Sequence, residues 1–91
     1  MSHDHITDIL TERGKNYGPY LRQAGLSQEL KTVMRDHRGW GALGTDMHEA
    51  LELIAMKISR ILNGNPNHID SWDDIAGYAR LVADRLRGVV W

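Results

Sequence analysis

The chain contains no cysteine among its 91 residues, which excludes disulfide scaffolds, thiolate metal sites and cysteine nucleophiles. Proline is scarce, with Pro19 and Pro66 both in loop-like surroundings. No apolar run exceeds a few residues, far short of the roughly 20 that span a bilayer, so a membrane is not expected as a partner. The opening M-S-H-D-H-I-T-D-I-L carries acids and no long apolar stretch, unlike a secretory leader. Neither sign of charge prevails: eleven Lys and Arg against twelve Asp and Glu give a net charge of -1. Nucleic acid is therefore not expected as a partner, and the expected setting is the cytoplasm. Alternating β-branched segments are nearly absent, which leaves helical periodicity to organise the chain.

What is present suits a folded chain. An apolar share of 42% is ordinary for a globular domain, and 10.3 kDa allows one domain, covering residues 1–91. A folded monomer of that mass exposes roughly 5,400 Å² and has a thin core, so an oligomer is expected. The five histidines are scattered; His3 and His5 read as solvated.

The pattern predicts an all-α, small four-helix bundle, with two longer antiparallel C-terminal helices and two shorter N-terminal ones. The first helix is expected from about Asp4 to Arg13, with Ile6, Ile9 and Leu10 inward and Gly14 as its stop. G-K-N-Y-G-P-Y then reads as a turn-rich loop. The second helix is expected from a Ser27 cap to about His37, with Leu30, Val33 and Met34 apolar. R-G-W-G-A-L-G is a glycine-rich connector, not a phosphate loop, because it lacks the Gly-Lys-Ser/Thr ending. Asp46 and Glu49 fit a capping box for a third helix that Gly64 stops. Ser71 is the expected cap of a fourth helix, which ends near Gly88 with Trp72 in the core. The closing V-V-W suggests a patch docked on a partner subunit.

The third helix is two-sided. Met47, Leu51, Ile54, Ile58, Ile61 and Leu62 share one face, and Glu49, Glu52, Lys57 and Arg60 the other. A plain solvated face is the ordinary reading of such charges. Two details favour a site: Leu53 and Met56 interrupt the charges, and acids and bases lie about 12 Å apart along the axis instead of pairing at i,i+4. On the fourth helix Ile75, Tyr78, Val82 and Leu86 form the apolar face, with Asp73, Gly77, Arg80 and Asp84 opposite. Gly77, one turn past Asp73, makes room for a ligand or for a neighbouring helix.

Glu49 and Glu52 share a helix face, as do Asp70 and Asp73. Straight antiparallel packing keeps the two pairs apart, so their convergence needs tilted helices or a second subunit. If they converge, carboxylates without thiols select a hard cation, magnesium (Mg2+) first and manganese (Mn2+) next. Lys57, Arg60 and Arg80 could then contact phosphate oxygens. His48 reads as surface. In the N-terminal loop, Lys15, Asn16 and Tyr17 could bind phosphate and stack on a base, or Tyr17 and Tyr20 could simply pack the loop. Trp40 could cover a pocket. No serine triad is supported, since Ser59 has no elbow motif.

The segment H-E-A-L-E, seventeen residues, then D-S-W-D resembles the signature of the MazG-like, all-α nucleoside triphosphate pyrophosphohydrolases. Their pattern is E-E-x-x-E, a spacer, then E-x-x-D. Glu49, Glu52 and Asp73 match; His48 stands at the first Glu and Asp70 at the third. K-I-S-R, D-S-W-D-D-I-A-G-Y-A and R-G-K-N-Y-G also resemble small phage-associated domains of unknown or nucleotide-modification-associated function. The resemblance implies magnesium-dependent hydrolysis of a nucleoside triphosphate to monophosphate and pyrophosphate. It implies catalytic Glu49, Glu52 and Asp73, with Asp70 a fourth metal ligand, and a homodimer or homotetramer in the host cytoplasm if phage-encoded. His48 and Asp70 depart from the pattern, which keeps two alternatives open. One is a nucleotide-binding sponge or sensor without turnover. The other is an interaction protein acting on a host target.

Overall fold

The computed structural model describes residues 4–91, and these form helices without strands: α1 His5–Tyr17, α2 Tyr20–Asp36, a short 3-10 turn Trp40–Ala42, α3 Thr45–Asn63 and α4 Ile69–Leu86. The all-helical bundle is thus as the periodicity predicts, with α2 nearly as long as α3 and α4. His3 lies outside the described residues, and His5 opens α1 at the surface. No helix among the described residues is long and apolar enough to cross a membrane.

Several boundaries differ from the sequence expectation. Asp4 caps α1 by accepting the Ile6 N–H at 3.0 Å, but Gly14 does not stop the helix. An added Cβ at Gly14 would meet open space, so it costs only its propensity. The break falls at Gly18–Pro19. Gly18 adopts φ 74°, and its N–H closes α1 on the Gly14 carbonyl at 3.0 Å. Helix α2 therefore starts at Tyr20, and Ser27 is a buried residue within it instead of a cap. Ser71 is likewise buried inside α4, not at its cap. The Asp46–Glu49 capping box does not form: α3 begins at Thr45, which puts Asp46 inside the helix, and its carboxylate accepts from Arg85 Nε and Nη2 at 2.7 Å. Glycine does end α3, at Gly64.

Helix α3 is the axis of the molecule. Asp46–Arg85 near one end and Lys57–Asp74 toward the other fix its antiparallel register with α4. Gln23 donates to Ser59 Oγ at 2.8 Å, and Arg35 to Glu52 at 2.7 Å, fixing α2 against a second face. The buried groups on these contacts are small or polar: Ala50, Ala55, Ser59, Ser71, and Lys57 at 8% exposure. Small side chains allow close helix approach but remove little apolar area from water.

The third face of α3 is the apolar stripe, and the chain leaves it largely uncovered. Leu51 and Ile58 are each 37% exposed and Leu62 is 67% exposed. Met47, Ile54 and Ile61 on the same stripe are half-buried, while on the charged face Lys57 is buried, Glu52 and Arg60 are half-buried and Glu49 is exposed. On α1, Ile6, Ile9 and Leu10, expected inward, are exposed. Val33 on α2 and Leu86 and Trp72 on α4 are exposed as well; Trp72 donates its indole N–H to the Pro66 carbonyl at 2.8 Å instead of entering a core.

Candidate functional site

The strongest convergence of functional side chains is where the end of α1 meets the end of α3. Helix α1, running through Gly14, places Arg13 and Tyr17 one turn apart on one face. The segment after Tyr17 is clamped onto the α3 C-terminus. Asn63 Nδ2 donates to the Tyr17 and Pro19 carbonyls at 2.9 and 3.0 Å, and the Asn65 N–H to the Asn16 carbonyl at 2.7 Å. The backbones meet so closely that a Cβ on Gly18 would fall on Asn63, and one on Gly64 on Asn16 and Tyr17. G-K-N-Y-G thus acts with N-G-N as one joint.

That joint delivers Tyr17 to Arg60. The guanidinium carbon lies 4.3 Å from the Tyr17 ring centroid, a cation–π contact, while His68 meets the ring edge-on at 5.6 Å. Beside them a cavity of about 810 Å³ is lined by Arg13, Tyr17, Tyr20, the buried Gln23 and Arg60, with Leu10 and the Gly18–Pro19 turn. Its size is in the range of small-ligand sites. Arg60 Nε is buried without a hydrogen-bond partner, an unmet donor at this wall. On the other side of Tyr17, a hollow of about 480 Å³ reaches Asn16, His68 and Asp70.

The remaining cations lie elsewhere. Lys57 Nζ is 2.8 Å from Asp74 at the α3–α4 contact. Lys15 is exposed beside Glu12, and Arg80 is exposed with its Nε 3.2 Å from Asp84. The sequence reading did not select Arg13, Tyr20 or Gln23 as ligand groups. The i,i+4 spacing of Arg13 and Tyr17 was a signal for the first, masked by treating Gly14 as a helix stop.

The acids do not assemble within one chain. Glu49 rims an apolar hollow of about 400 Å³ under the C-terminal Val90 and Trp91. Glu52 is neutralised by Arg35. Asp70 faces His68 at 3.4 Å, and Asp73 is exposed. The α3–α4 register sets Asp73 level with Ile58, about 9 Å along the axis from Glu52 and about 13 Å from Glu49. At position 74, not 73, the α4 carboxylate faces α3. Among the described residues, no three His, Asp or Glu side chains group as metal ligands, so the donor set does not fit a magnesium ion within a single chain.

Two further clusters are structural. His48 stacks on Trp40 at 4.4 Å and donates Nε2–H to its carbonyl at 2.7 Å, pinning the connector to α3. Trp40 therefore covers His48 and lines no described cavity. Asp84, buried in α4, accepts from Trp91 Nε1 at 3.0 Å and from Arg80 and Arg87. These donors, Trp91 foremost, hold its carboxyl below the usual range. Asp46 is lowered in the same way, first by its hydrogen bonds from Arg85. Gly77 meets no neighbour within 4 Å, so packing within the chain does not demand it.

These features define a small helical protein with a cavity lined by Arg13, Arg60, Tyr17 and Tyr20. The chain belongs to a family described as a domain of unknown function (DUF6378), whose family model matches residues 4–86. No curated protein and no solved structure matches it.

Proposed function

We propose that this chain is a nucleotide-binding protein. It takes a nucleoside triphosphate at the Arg13–Tyr17–Arg60 cavity, with phosphates against the two guanidinium groups and the base against Tyr20. The observation that carries the reading is a cavity of ligand size whose wall holds two guanidinium groups, Arg13 and Arg60, beside two tyrosines. Arg13 makes no ion pair among the described residues, and an anion would satisfy both arginines. The sequence resemblance to MazG-like enzymes supports a nucleotide as that anion, with binding in the manner of a sponge or sensor.

The test is equilibrium binding of ribo- and deoxynucleoside triphosphates, in chelator and in magnesium. Binding that survives chelation and weakens about 10- to 100-fold in Arg60→Met is expected, the loss of one charged hydrogen bond or two. No affinity for any triphosphate overturns the reading and leaves the interaction-protein alternative.

A second reading, the magnesium-dependent pyrophosphohydrolase, is favoured by one observation: Glu49 and Asp73 carry no ion pair among the described residues. It requires a homodimer or homotetramer that brings acids of two copies together. Pyrophosphate release that needs magnesium, and is lost in both Glu49→Gln and Asp73→Asn, would establish it over simple binding.

A further inference from the structure

The α3–α4 hairpin carries one continuous apolar face. On α3, Leu51, Ile58 and Leu62 lie on the stripe turned from both α2 and α4. On α4, Ile69, Trp72 and Leu86 recur at spacings of three and four, with alanines between, and all three are 51–62% exposed. At about 100° per residue, the α4 stripe lies about 100–160° round its helix from Asp74 and Arg85, and the α3 stripe about the same angle from Lys57 and Asp46. Because the helices are antiparallel, rotations in the same sense open to the same side of the hairpin. Helix α2 meets α3 at Ser59 and Glu52, each about 100° round from Ile58 and Leu51. The Trp72 indole N–H is satisfied by Pro66, so its ring offers apolar surface alone.

We infer that a second copy of this chain covers that face, hairpin against hairpin, giving a two-fold four-helix bundle. The areas select this occupant. The chain exposes 6735 Å², about 1,300 Å² more than a folded monomer of its mass. Its radius of gyration, 15.6 Å, exceeds the roughly 12 Å of a 91-residue domain. Burying that excess on two copies removes about 2,600 Å², within the class of obligate dimers. Two like faces satisfy each other in one closed step, as a two-fold interface requires. The 4-3 spacing along both helices is the pattern that interdigitates in such bundles. This inference is independent of the nucleotide reading.

Sedimentation equilibrium of the full chain tests it, with helicity followed by circular dichroism. The wild type is expected at twice 10.3 kDa at micromolar concentration. Ile58→Glu is expected at 10.3 kDa with its helices retained or partly lost. Val33→Glu, on α2 at a position 72% exposed, is expected to stay at twice the mass. Because the chain has no cysteine, Ala79→Cys supplies a second measurement that leaves the fold intact: oxidation should link two copies. A monomeric wild type overturns the inference, as does any oligomer that Ile58→Glu leaves unchanged and Ala79→Cys fails to cross-link.

Discussion

The Lys57–Asp74 pair should respond asymmetrically to the loss of either partner. The Lys57 side chain is 10% exposed and Asp74 46%, with 2.8 Å between them. Removing the partner of a fully buried charge costs about 3–5 kcal/mol, because the remaining ion is stranded away from water. Here the acid end is wet, so Asp74→Ala is expected to cost about half of that, ~2 kcal/mol. Lys57→Met keeps the aliphatic stem against α4 and removes the charge, while the half-exposed Asp74 regains water. Its expected cost is less than about 0.5 kcal/mol, of either sign. In a domain of this size ~1 kcal/mol moves Tm by about 4–8 °C. Asp74→Ala should therefore melt about 8–16 °C below the wild type, and Lys57→Met within a few degrees of it.

The assay is thermal unfolding at one fixed chain concentration, since self-association would make Tm concentration-dependent. The double substitution should melt well above the sum of the single effects, because no stranded ammonium is left. Equal destabilisation by the two single substitutions would refute the reasoning. It would mean that Coulomb attraction, and not the cost of an unpaired charge, decides the α3–α4 contact.

Gly64→Ala should destabilise by about 1–3 kcal/mol in urea unfolding, because its Cβ would fall on the Asn16–Tyr17 backbone, whereas Gly77→Ala, with open space around it, should be neutral or stabilising by up to about 1 kcal/mol. Asp84, with its carboxyl held low, contributes stability that is fully present above its unfolded pKa of about 3.9 and lost as pH falls through the lower folded value. Urea midpoints between pH 5 and pH 2 should accordingly fall less steeply in Asp84→Asn than in the wild type. Trp91→Phe should raise the Asp84 pKa, read by carboxyl NMR, because the indole N–H is its foremost donor. His48→Ala should unpin the connector and quench or shift Trp40 fluorescence through loss of the 4.4 Å stack.

What the sequence makes legible here depends on how local the signal is. The hairpin of α3 and α4 was readable because Gly64 and the loop to His68 are local punctuation, and both helices run long enough to show their period. The start of α2 was not readable. Gly14 resembles a helix stop as strongly as Gly18 does, and only the tertiary clamp of Asn63 on the Tyr17 and Pro19 carbonyls selects the second. Candidate caps failed for the same reason: Asp46 prefers a bidentate bond to Arg85, thirty-nine residues away, to the end of its own helix. The candidate site was half legible. Tyr17 and Arg60 meet in a cation–π contact, whereas Glu49, Glu52, Asp70 and Asp73 share a spacing pattern without sharing a place.

The apolar stripe of α3 shows where that legibility ends, and the cause is physical. Hydrophobic periodicity says which side of a helix avoids water; it does not say which molecule does the covering. Leu53 and Met56 within the charged face, and the lack of i,i+4 pairing there, marked that face as covered, and Arg35, Gln23 and Asp74 reach it from both sides. A helix with three covered faces needs three neighbours. Within one chain α3 has two principal ones, bound through small and polar side chains, and its most apolar face is left for another. On the inference of self-association, the groups that recur at 4-3 spacing on α3 and α4 record assembly, whereas the core of the single chain is written in alanine, serine and one buried lysine with a half-exposed partner.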